Sequence, residues 1–501
     1  MMKLPIFFLL GIGLLSGQDL TRIGTVRLPK GAGEILAVDG KRKLLVTTRH
    51  GWRARGLEFI DLSDISRPRL MGHVSLKGVI PGGIEGVSSV AIDPVGRGFA
   101  VAAILPKDAI LTRGRIAIID LDSRQVVGTA VTGYHPDCVI FSADGRYLTV
   151  ACEGEWQEGK ANTPGSLTIY DIPRTKDWKN LRGVDVPLTK TTGARLLHGQ
   201  KNDLEPEYIT IEGSRAYVTL QENNALGIFD LKRRTWLSVR SFGSWPVRMD
   251  VSDRDGAWGK RKIQLKHDIH ALPMPDTLSS FIWKGKIYLA TANEGDKAGF
   301  VRVKHLGKAS PPLDPEYRAR LKNIYGIDPQ HDSALGRLQV SPIDGDLDRD
   351  GDIDRVTALG TRSFSIWEAA SGKRVYDSGS LFAEVGARDA ETFNVNRGRV
   401  TEWDTRSDNR GAEPEAIYAE IIGGRPLLVV ATERQSGVYL FDCRNPAKPR
   451  MLSGINELRA GHSAPESALL LPASKSPTGR ALCMVGWEGS NSVTFYELSE
   501  R

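Results

Sequence analysis

The sequence is poor in cysteine and in long apolar runs, and both scarcities restrict the class of protein. Four cysteines in a chain of 501 residues are too few to form a disulfide scaffold. No C-x-x-C pair occurs, so a zinc ribbon has no support. Only one long apolar run is present, at residues 6–15, which excludes a protein that crosses a membrane many times.

The sequence also lacks the signatures of several common enzyme and binding classes. It contains neither the G-x-S-x-G motif of serine hydrolases nor a P-loop ending in G-K-[ST]. Lys and Arg total 67 against 60 Asp and Glu, and the resulting net charge of +7 is spread along the chain. Nucleic-acid binding is not expected, because it requires clustered cations. The hydrophobic fraction of 41% excludes a disordered chain.

The N-terminal segment has the pattern of a secretory signal. Lys3 precedes the apolar residues 6–15, and the small residues Ser16 and Gly17 follow them. The run is too short to span a bilayer comfortably, although the lack of a clean A-x-A site leaves an uncleaved anchor as the alternative. We therefore expect residues 1–17 to be a signal peptide. The mature chain is expected to be secreted or periplasmic, with no membrane anchor after signal removal.

A repeated unit of short strands dominates the rest of the sequence. In residues 207–231, short apolar runs are separated by Gly213-Ser214 and Asn223-Asn224, a pattern typical of antiparallel strands joined by turns. Seven units of three or four strands predict an all-β, seven-bladed β-propeller, and a pair of β-sandwiches is the alternative. The other units begin near residues 35, 87, 138, 269, 416 and 467.

The two ends of the repeat region predict how the fold closes. The last unit lacks a fourth strand, and residues 21–28 form an orphan strand that we expect to complete it and protect the edges. Residues 18–501 are then one domain, with insertions at about 154–164 and 299–336. The second insertion contains a helical pattern near residues 315–324.

Carboxylates recur just before the first strand and just after the second strand of these units. The two positions lie at the same end of a hairpin, because the second strand runs antiparallel to the first. First strands line the channel of a propeller, so we expect a ligand- or cation-binding face at the channel mouth. The alternatives are backbone hydrogen bonding at each strand start and direct acid–base catalysis. The predicted face comprises Glu85, Asp137, Glu153, Glu205, Glu207, Glu222, Glu294, Glu413, Glu415, Glu433, Glu466 and Glu488.

A run of alternating aspartates at residues 344–356 predicts a separate metal site. Its spacing matches positions 1, 3, 5, 7 and 9 of an EF-hand-type calcium loop, with Gly351 at position 6. Position 12 is Thr357, so the bidentate Glu is missing, and an exposed acidic turn is the alternative. We expect Ca²⁺ here in a structural role. The predicted ligands are Asp346, Asp348, Asp350, Asp352 and Asp354.

Five segments of the sequence are distinctive: 205–209 (EPEYI), 216–225 (AYVTLQENNA), 291–296 (TANEGD), 360–367 (GTRSFSIW) and 407–415 (SDNRGAEPE). In these segments the sequence resembles the choice-of-anchor I family. The resemblance runs over nearly the whole mature chain. It implies a secreted or surface-anchored β-propeller with bound calcium, related to the mesenchyme-specific cell-surface glycoproteins. Members often carry alkaline-phosphatase-like or phytase-esterase-like labels.

Three functions are compatible with these observations. The first is a calcium-stabilised propeller that binds a small-molecule or extracellular ligand on its acidic face without catalysis, and the pattern favours it. The second is a Ca²⁺-dependent phosphoester hydrolase, in which clustered carboxylates hold cations beside the phosphate. The third is a protein-interaction platform with an exposed apolar patch. The identity of the ligand and the oligomeric state are left open.

Overall fold

A computed structural model describes residues 18–50, 55–154, 163–190, 192–196, 204–296, 299–308 and 310–500. The predicted signal peptide and most of the predicted insertion at 154–164 lie outside these residues. Within them most of the regular secondary structure is β-strand. The two α-helices are α1 (Pro315–Tyr325) and α2 (Leu381–Gly386). None of the helices in the described ranges is both long and apolar enough to cross a membrane.

The strands are short and follow one another closely, as the repeated apolar runs predict. The strands of the first half are β1 (Gln18–Arg27), β2 (Ala32–Asp39), β3 (Leu44–Arg49), β4 (Gly56–Asp61), β5 (Arg69–Ser75), β6 (Ile84–Ile92), β7 (Phe99–Pro106), β8 (Arg113–Asp120), β9 (Gln125–Tyr134), β10 (Pro136–Phe141), β11 (Tyr147–Cys152), β12 (Ser166–Asp171), β13 (Gly183–Pro187), β14 (Ile209–Glu212), β15 (Arg215–Leu220), β16 (Ala225–Asp230) and β17 (Thr235–Ser241). The remaining strands are β18 (Trp245–Asp250), β19 (Leu265–Leu272), β20 (Leu278–Trp283), β21 (Lys286–Asn293), β22 (Val301–Arg302), β23 (Gln339–Val340), β24 (Thr357–Leu359), β25 (Ser363–Glu368), β26 (Lys373–Asp377), β27 (Pro414–Ile422), β28 (Arg425–Thr432), β29 (Gly437–Asp442), β30 (Arg450–Asn456), β31 (Pro465–Leu471), β32 (Leu482–Trp487) and β33 (Ser492–Glu500).

Short 3₁₀ helices occupy several of the connections between these strands. They are Ala257–Gly259, Val303–His305, Ala390–Thr392, Val400–Glu402, Glu433–Gln435, Leu458–Ala460 and Ala473–Lys475.

Among the described residues, seven sheets have four antiparallel strands and one sheet has five. Five of the four-stranded sheets are uninterrupted meanders, in the orders β2-β3-β4-β5, β6-β7-β8-β9, β10-β11-β12-β13, β14-β15-β16-β17 and β27-β28-β29-β30. A sixth, β20-β21-β25-β26, is interrupted by a long excursion between β21 and β25. The seventh joins the two ends of the chain, in the order β1-β33-β32-β31. Because the meanders repeat, the first strand of each of these sheets occupies the equivalent place in its sheet.

The N-terminal strand β1 pairs antiparallel with β33, from Gln18 opposite Glu500 to Arg27 opposite Ser492. The orphan strand of the sequence therefore lies within β1. Leu20 and Val26 of β1 are buried in the hydrophobic clusters on either side of this sheet. β1 covers the outer edge of β33, so that the sheet where the fold closes has four strands like its neighbours.

The first strands of all seven four-stranded sheets line one central cavity of about 290 Å³. Its walls are mostly apolar, and the sheets pack face to face around it through clusters of buried aliphatic side chains. Val46 and Phe59 of one sheet, for example, share a cluster with Val87 and Ala102 of the next. Radial four-stranded sheets around a central channel are a β-propeller.

The unit expected to begin near Ile269 begins elsewhere. Ile269 lies in β19, which belongs to the five-stranded sheet β18-β19-β24-β23-β22, and the first strand of the unit is β20. β19 pairs with β24 in parallel, across more than eighty intervening residues. A strand pattern predicts a strand but not its partner, so this pairing had no local signal.

The helix predicted within the second insertion is α1. The Asp314 side chain accepts a hydrogen bond from the Tyr317 backbone N–H at 2.7 Å and caps the N-terminus, and Pro315 occupies the first turn. Gly326 ends the helix in the left-handed conformation, at φ 72°. All four cysteines of the chain are buried free thiols.

Candidate functional site

A second cavity of about 260 Å³ lies at one end of the channel and is strongly acidic. Six carboxylates line it, and five of them, all except Glu294, lie within two residues of the start of a different first strand. Glu207 occupies the equivalent position ahead of β14, directly before the lining residue Tyr208. We call these six residues the acidic ring. The acidic ring comprises Glu34, Asp137, Glu207, Asp276, Glu415 and Glu466.

We call the place of each acidic-ring residue on its first strand the ring position. In most of the sheets, strand pairing is irregular at the ring position. The register between first and second strands shifts where Glu34, Asp137, Glu415 and Glu466 lie. A β-bulge of this kind breaks the ladder and redirects a side chain, and bulges concentrate near active sites. Five of the six ring carboxylates directly follow a proline, which cannot donate to the ladder. These prolines are Pro136, Pro206, Pro275, Pro414 and Pro465.

Two ring members, Glu34 and Asp276, were missed by the sequence analysis. The proline–acid pair at Pro275-Asp276 is a signal that could have identified Asp276. It was overlooked because the unit was expected to begin at Ile269. Glu34 follows a glycine and carries no comparable signal, but it is paired with His50 at the end of β3.

The predicted residue Glu85 lies three positions before the ring position of its strand. Glu85 is exposed on β6 and is not among the cavity-lining residues. The ring position of β6 is Ser88, whose hydroxyl donates to the Pro136 carbonyl at 2.7 Å. Register shifts at Ile84/Gly86 and Val87/Ser89 move the strand's side chains relative to a regular ladder. The ring therefore has one neutral position.

The predicted residues that follow second strands form an outer group around the ring. Glu294 lines the cavity, whereas Glu488 is exposed. Glu153 faces the His135 ring at 3.1 Å. Glu222 contributes a buried carboxylate oxygen that accepts no hydrogen bond from the described residues. Glu205 lies two residues before the ring residue Glu207, and its backbone N–H donates to the Asn223 side chain at 3.0 Å.

Asp276, Glu294 and Glu415 converge closely enough to hold one cation. One carboxylate oxygen from each lies within 4.8 Å of the others. Glu294 accepts hydrogen bonds from Gln221 at 2.7 Å and from Arg410 at 2.5 Å, which orient it, and Arg410 also offsets part of its charge. The Oε2 atom of Glu415 is buried and accepts no hydrogen bond from any described donor. An oxygen-only donor set with a buried, unsatisfied carboxylate oxygen fits a hard cation such as Ca²⁺.

A second group of three, Glu413, Glu415 and Glu433, also has oxygens within 4.8 Å of one another. Here the protein provides its own cations. Arg434 donates to Glu413 and lies 2.5 Å from Glu433, and Arg410 lies 3.2 Å from Glu413. Burial would raise the pKa of Glu413, but Arg434, Arg410 and Arg406 hold it below its ordinary value. This group is therefore largely neutralised without a metal ion.

The ring itself carries unbalanced negative charge in a buried setting. Burial, followed by repulsion from Glu294 and Glu466, raises the pKa of Glu415 well above its ordinary value. Burial is also the main cause of the raised pKa of Asp276, which is about 7, and of Glu433, which is about 8. Carboxylates in this state either retain protons or gain a cation.

Five further carboxylates of the predicted face show the same effect of burial on the pKa. Burial raises the pKa of Glu207 well above its ordinary value, and repulsion from Glu222 adds to it. The pKa values of Asp137, Glu222, Glu294 and Glu466 are raised in the same direction, with burial as the first cause in each.

The aspartate loop brings three of its five predicted ligands together. Carboxylate oxygens of Asp346, Asp348 and Asp354 lie within 4.8 Å of one another. Asp346 also accepts from the Gly351 backbone N–H at 3.2 Å, and Gly351 adopts φ 102°, so the turn depends on glycine. Asp350 accepts from the backbone N–H of Asp352 at 3.1 Å. Burial and then Asp350 raise the pKa of Asp352.

Comparisons with known proteins place the chain in a family. Gigasin-3a from Magallana gigas is 30% identical over 200 residues, which are 36% of this chain and 69% of that protein. The hydrazine synthase of Kuenenia stuttgartiensis is similar in structure, with a TM-score of 0.49 and 12% identity over 95% of this chain and 98% of that chain. The β-propeller domain of Cps50 (Swd1) from Myceliophteria thermophila has a TM-score of 0.48 and 7% identity, over 96% of this chain and 100% of that chain. The model of the choice-of-anchor I domain matches residues 34–446, and the chain belongs to this family.

Proposed function

We propose that the protein is a secreted calcium-binding β-propeller whose acidic ring, through a bound cation, takes up a ligand at the channel mouth. The observation that carries this proposal is the convergence of Asp276, Glu294 and Glu415 in a buried, acid-lined cavity. Membership of the choice-of-anchor I family suggests an extracellular or cell-surface protein, where free calcium is abundant. Secretion through the signal peptide at residues 1–17 is part of the proposal.

The proposal includes seven blades. Seven four-stranded sheets whose first strands line one channel support this number, with β1 completing the last blade. The five-stranded sheet then lies outside the ring of blades as an elaboration of the chain between β17 and β25. This arrangement matters for function because it brings the ring carboxylates to one end of the channel.

Two calcium sites of different character are proposed. Asp276, Glu294 and Glu415 would hold the channel cation, and Asp346, Asp348 and Asp354 would hold a cation that stiffens the loop. The bound cation supplies a positive charge that recruits anionic groups of a ligand. The protein orients Glu294 through Gln221 and Arg410, and Glu294 and the Oε2 atom of Glu415 are buried from bulk water.

Calcium titration calorimetry on chelator-treated protein tests both sites. We expect two binding events in the wild type. Glu415→Gln should remove one event, and Asp348→Asn should remove the other and leave the channel event unchanged. Asp61→Asn is the control, because Asp61 lies on the outer part of a sheet and is paired with Arg69. Wild-type protein that binds no calcium would refute the proposal.

A second candidate function is calcium-dependent phosphoester hydrolysis. The observation in its favour is that two three-carboxylate groups share Glu415 and lie beside Arg410 and Arg434. Adjacent cations can neutralise a phosphate and activate water, and arginine can bind phosphate oxygens. The neutralisation of Glu413 by arginine argues for one cation and hence for binding without catalysis.

Hydrolysis of an aryl phosphate from neutral to alkaline pH, with calcium or with chelator, separates the two candidates. Calcium-dependent turnover that disappears in Glu415→Gln and persists in Asp348→Asn would establish the hydrolase. Calcium binding without turnover would leave a binding propeller.

A further inference from the structure

We propose that two neighbouring loops form a docking surface for an anionic lipid membrane. The loops comprise residues 254–262, which follow β18, and residues 397–403, and together we call them the basic–aromatic patch. This surface involves neither the acidic ring nor the aspartate loop, so the proposal is independent of calcium at either site.

Trp258 is placed at a cost to folding. Its side chain is 97% exposed to solvent, and its backbone is in the left-handed region at φ 59° and ψ 32°. A non-glycine residue is strained in that region, and a fully exposed indole gains nothing from burial. Gly259, the next residue, adopts the same region without strain, at φ 66°. A large apolar side chain that is both strained and almost fully exposed points to a function that folding does not explain.

A second exposed apolar side chain lies on the neighbouring loop, and we call it and Trp258 the two apolar tips. Val400 is 38% exposed at the start of the 3₁₀ turn Val400–Glu402. Arg261 holds the two loops together, since its guanidinium donates to the Thr401 carbonyl at 2.9 Å and lies 5.8 Å from the centroid of the Trp403 ring. The two apolar tips therefore belong to one surface.

Exposed cations surround both tips. Arg254 and Arg399 are each near one carboxylate, at 3.7 Å from Asp253 and 3.2 Å from Glu402. Asp253 is itself buried and bound by Arg337 at 2.8 Å, so it does little to offset the surface charge. The exposed cations are Arg254, Lys260, Lys262, Arg397 and Arg399.

Apolar tips within a set of cations fit an anionic bilayer. Trp favours the membrane–water interface, and Lys and Arg are attracted to anionic headgroups. A sugar polymer would instead call for amides or carboxylates beside the indole to bind hydroxyl groups. Among the described exposed side chains next to Trp258, the charged groups are cationic.

Co-sedimentation with vesicles tests the proposal on the whole mature protein in the presence of chelator. Vesicles of phosphatidylcholine containing about one third phosphatidylserine should bind the protein, and pure phosphatidylcholine vesicles should not. Binding should weaken with added salt. Removing both lysines in Lys260→Ala/Lys262→Ala should weaken binding about 25-fold, at about fivefold for each cation.

Vesicle binding and melting temperature, measured on variants of Trp258, separate a role in membrane docking from a role in folding. Trp258→Gly should lose vesicle binding while its melting temperature stays equal or rises, because glycine relieves the left-handed strain. Trp258→Phe should keep most of the binding but lose the fluorescence quenching by brominated lipid that the wild type shows. Leu70→Ala and Lys232→Ala are matched controls at exposed positions of other sheets, and both should bind as the wild type does.

Two results would overturn the proposal. One is equal binding of the wild type and of Trp258→Gly to anionic vesicles. The other is failure of the wild type to bind these vesicles; Trp258-dependent binding to an acidic polysaccharide would then assign the surface to a different partner.

Discussion

Glu415 is the residue on which the proposed site depends most. It belongs to both three-carboxylate groups, and its buried Oε2 accepts no hydrogen bond among the described residues. Without a cation, ionised Glu415 is repelled by Glu294 and Glu466. The wild type therefore retains this carboxylate at the expense of stability, as functional sites commonly do.

Glu415→Gln should make the calcium-free protein more stable at pH 8. The amide removes one buried negative charge, and the expected gain in the free energy of unfolding is on the order of 1–3 kcal/mol. The same variant should lose the calcium-induced rise in melting temperature that comes from the channel. Thermal denaturation with chelator and with calcium measures both effects. A variant that is less stable than the wild type in chelator would contradict the prediction.

Arg434 should contribute more to stability than any surface arginine of the chain. Glu413 is only 1% exposed, and Arg434 is its first counter-charge. Arg434→Ala leaves Glu413 and Glu433 without this partner, and the expected loss is about 3–5 kcal/mol. Arg480→Ala is the control, because its pair with Glu497 is largely exposed and should contribute at most about 1 kcal/mol. Urea denaturation of both variants checks the difference, and equal losses would contradict it.

At the residue scale, sequence patterns predicted four of the six positions of the acidic ring, with one informative displacement. Four of the six ring members, Asp137, Glu207, Glu415 and Glu466, were identified from their place before a strand. The displacement is at β6, where Ser88 rather than Glu85 lines the cavity. A bulge changes which residues point inward, and one position of shift reverses the face of a side chain. Such shifts depend on pairing with the neighbouring strand, which sequence spacing does not reveal.

At the scale of elements, β1 is the strand that joins the two ends of the chain. Its pairing with β33 shifts between Arg22 and Gly24. Gly24 lies against the loop that follows β4, where a Cβ atom at position 24 would overlap the carbonyl oxygen of Ile65. The absence of a side chain therefore permits the last and the first four-stranded sheets to approach each other closely.

Gly24→Ala should destabilise the protein by loosening this closure. The clash is with backbone, which cannot rotate away, and overpacking of this kind costs about 1–3 kcal/mol. Gly78→Ala is the control, because no heavy atom lies within 4 Å of a Cβ built there and its φ is not positive. Melting temperatures of the two variants measure the effect, and a wild-type value for Gly24→Ala would contradict it.

For the whole molecule, the buried acids predict an unusual dependence of stability on pH. The pKa of Asp276 is raised to about 7 and that of Glu433 to about 8, above their values in an unfolded chain. At pH values between the unfolded and the folded pKa of each group, the folded protein therefore binds more protons than the unfolded chain. The stability that these groups contribute is fully present below their unfolded pKa values of 3.8 and 4.5 and is lost as the pH rises through about 7 and 8.

In chelator, the melting temperature should fall between pH 5 and pH 8. With calcium the fall should be smaller, because the cation favours the ionised carboxylates. Scanning calorimetry across this range, with and without calcium, measures both curves. A melting temperature that rises with pH in chelator, or curves that coincide, would contradict the prediction.

The sequence by itself determined the strands, their turns, the helix α1 and the position of most ring carboxylates. These follow from alternation of apolar residues, from turn residues and from proline before acid, all of which act over a few neighbouring residues. The tertiary structure decided which carboxylates meet, which strand begins the unit at β20, and that Trp258 and Val400 share a surface. These depend on closure of the sheets around one channel, which brings together residues far apart in the chain, and distant pairing leaves no local trace in the sequence.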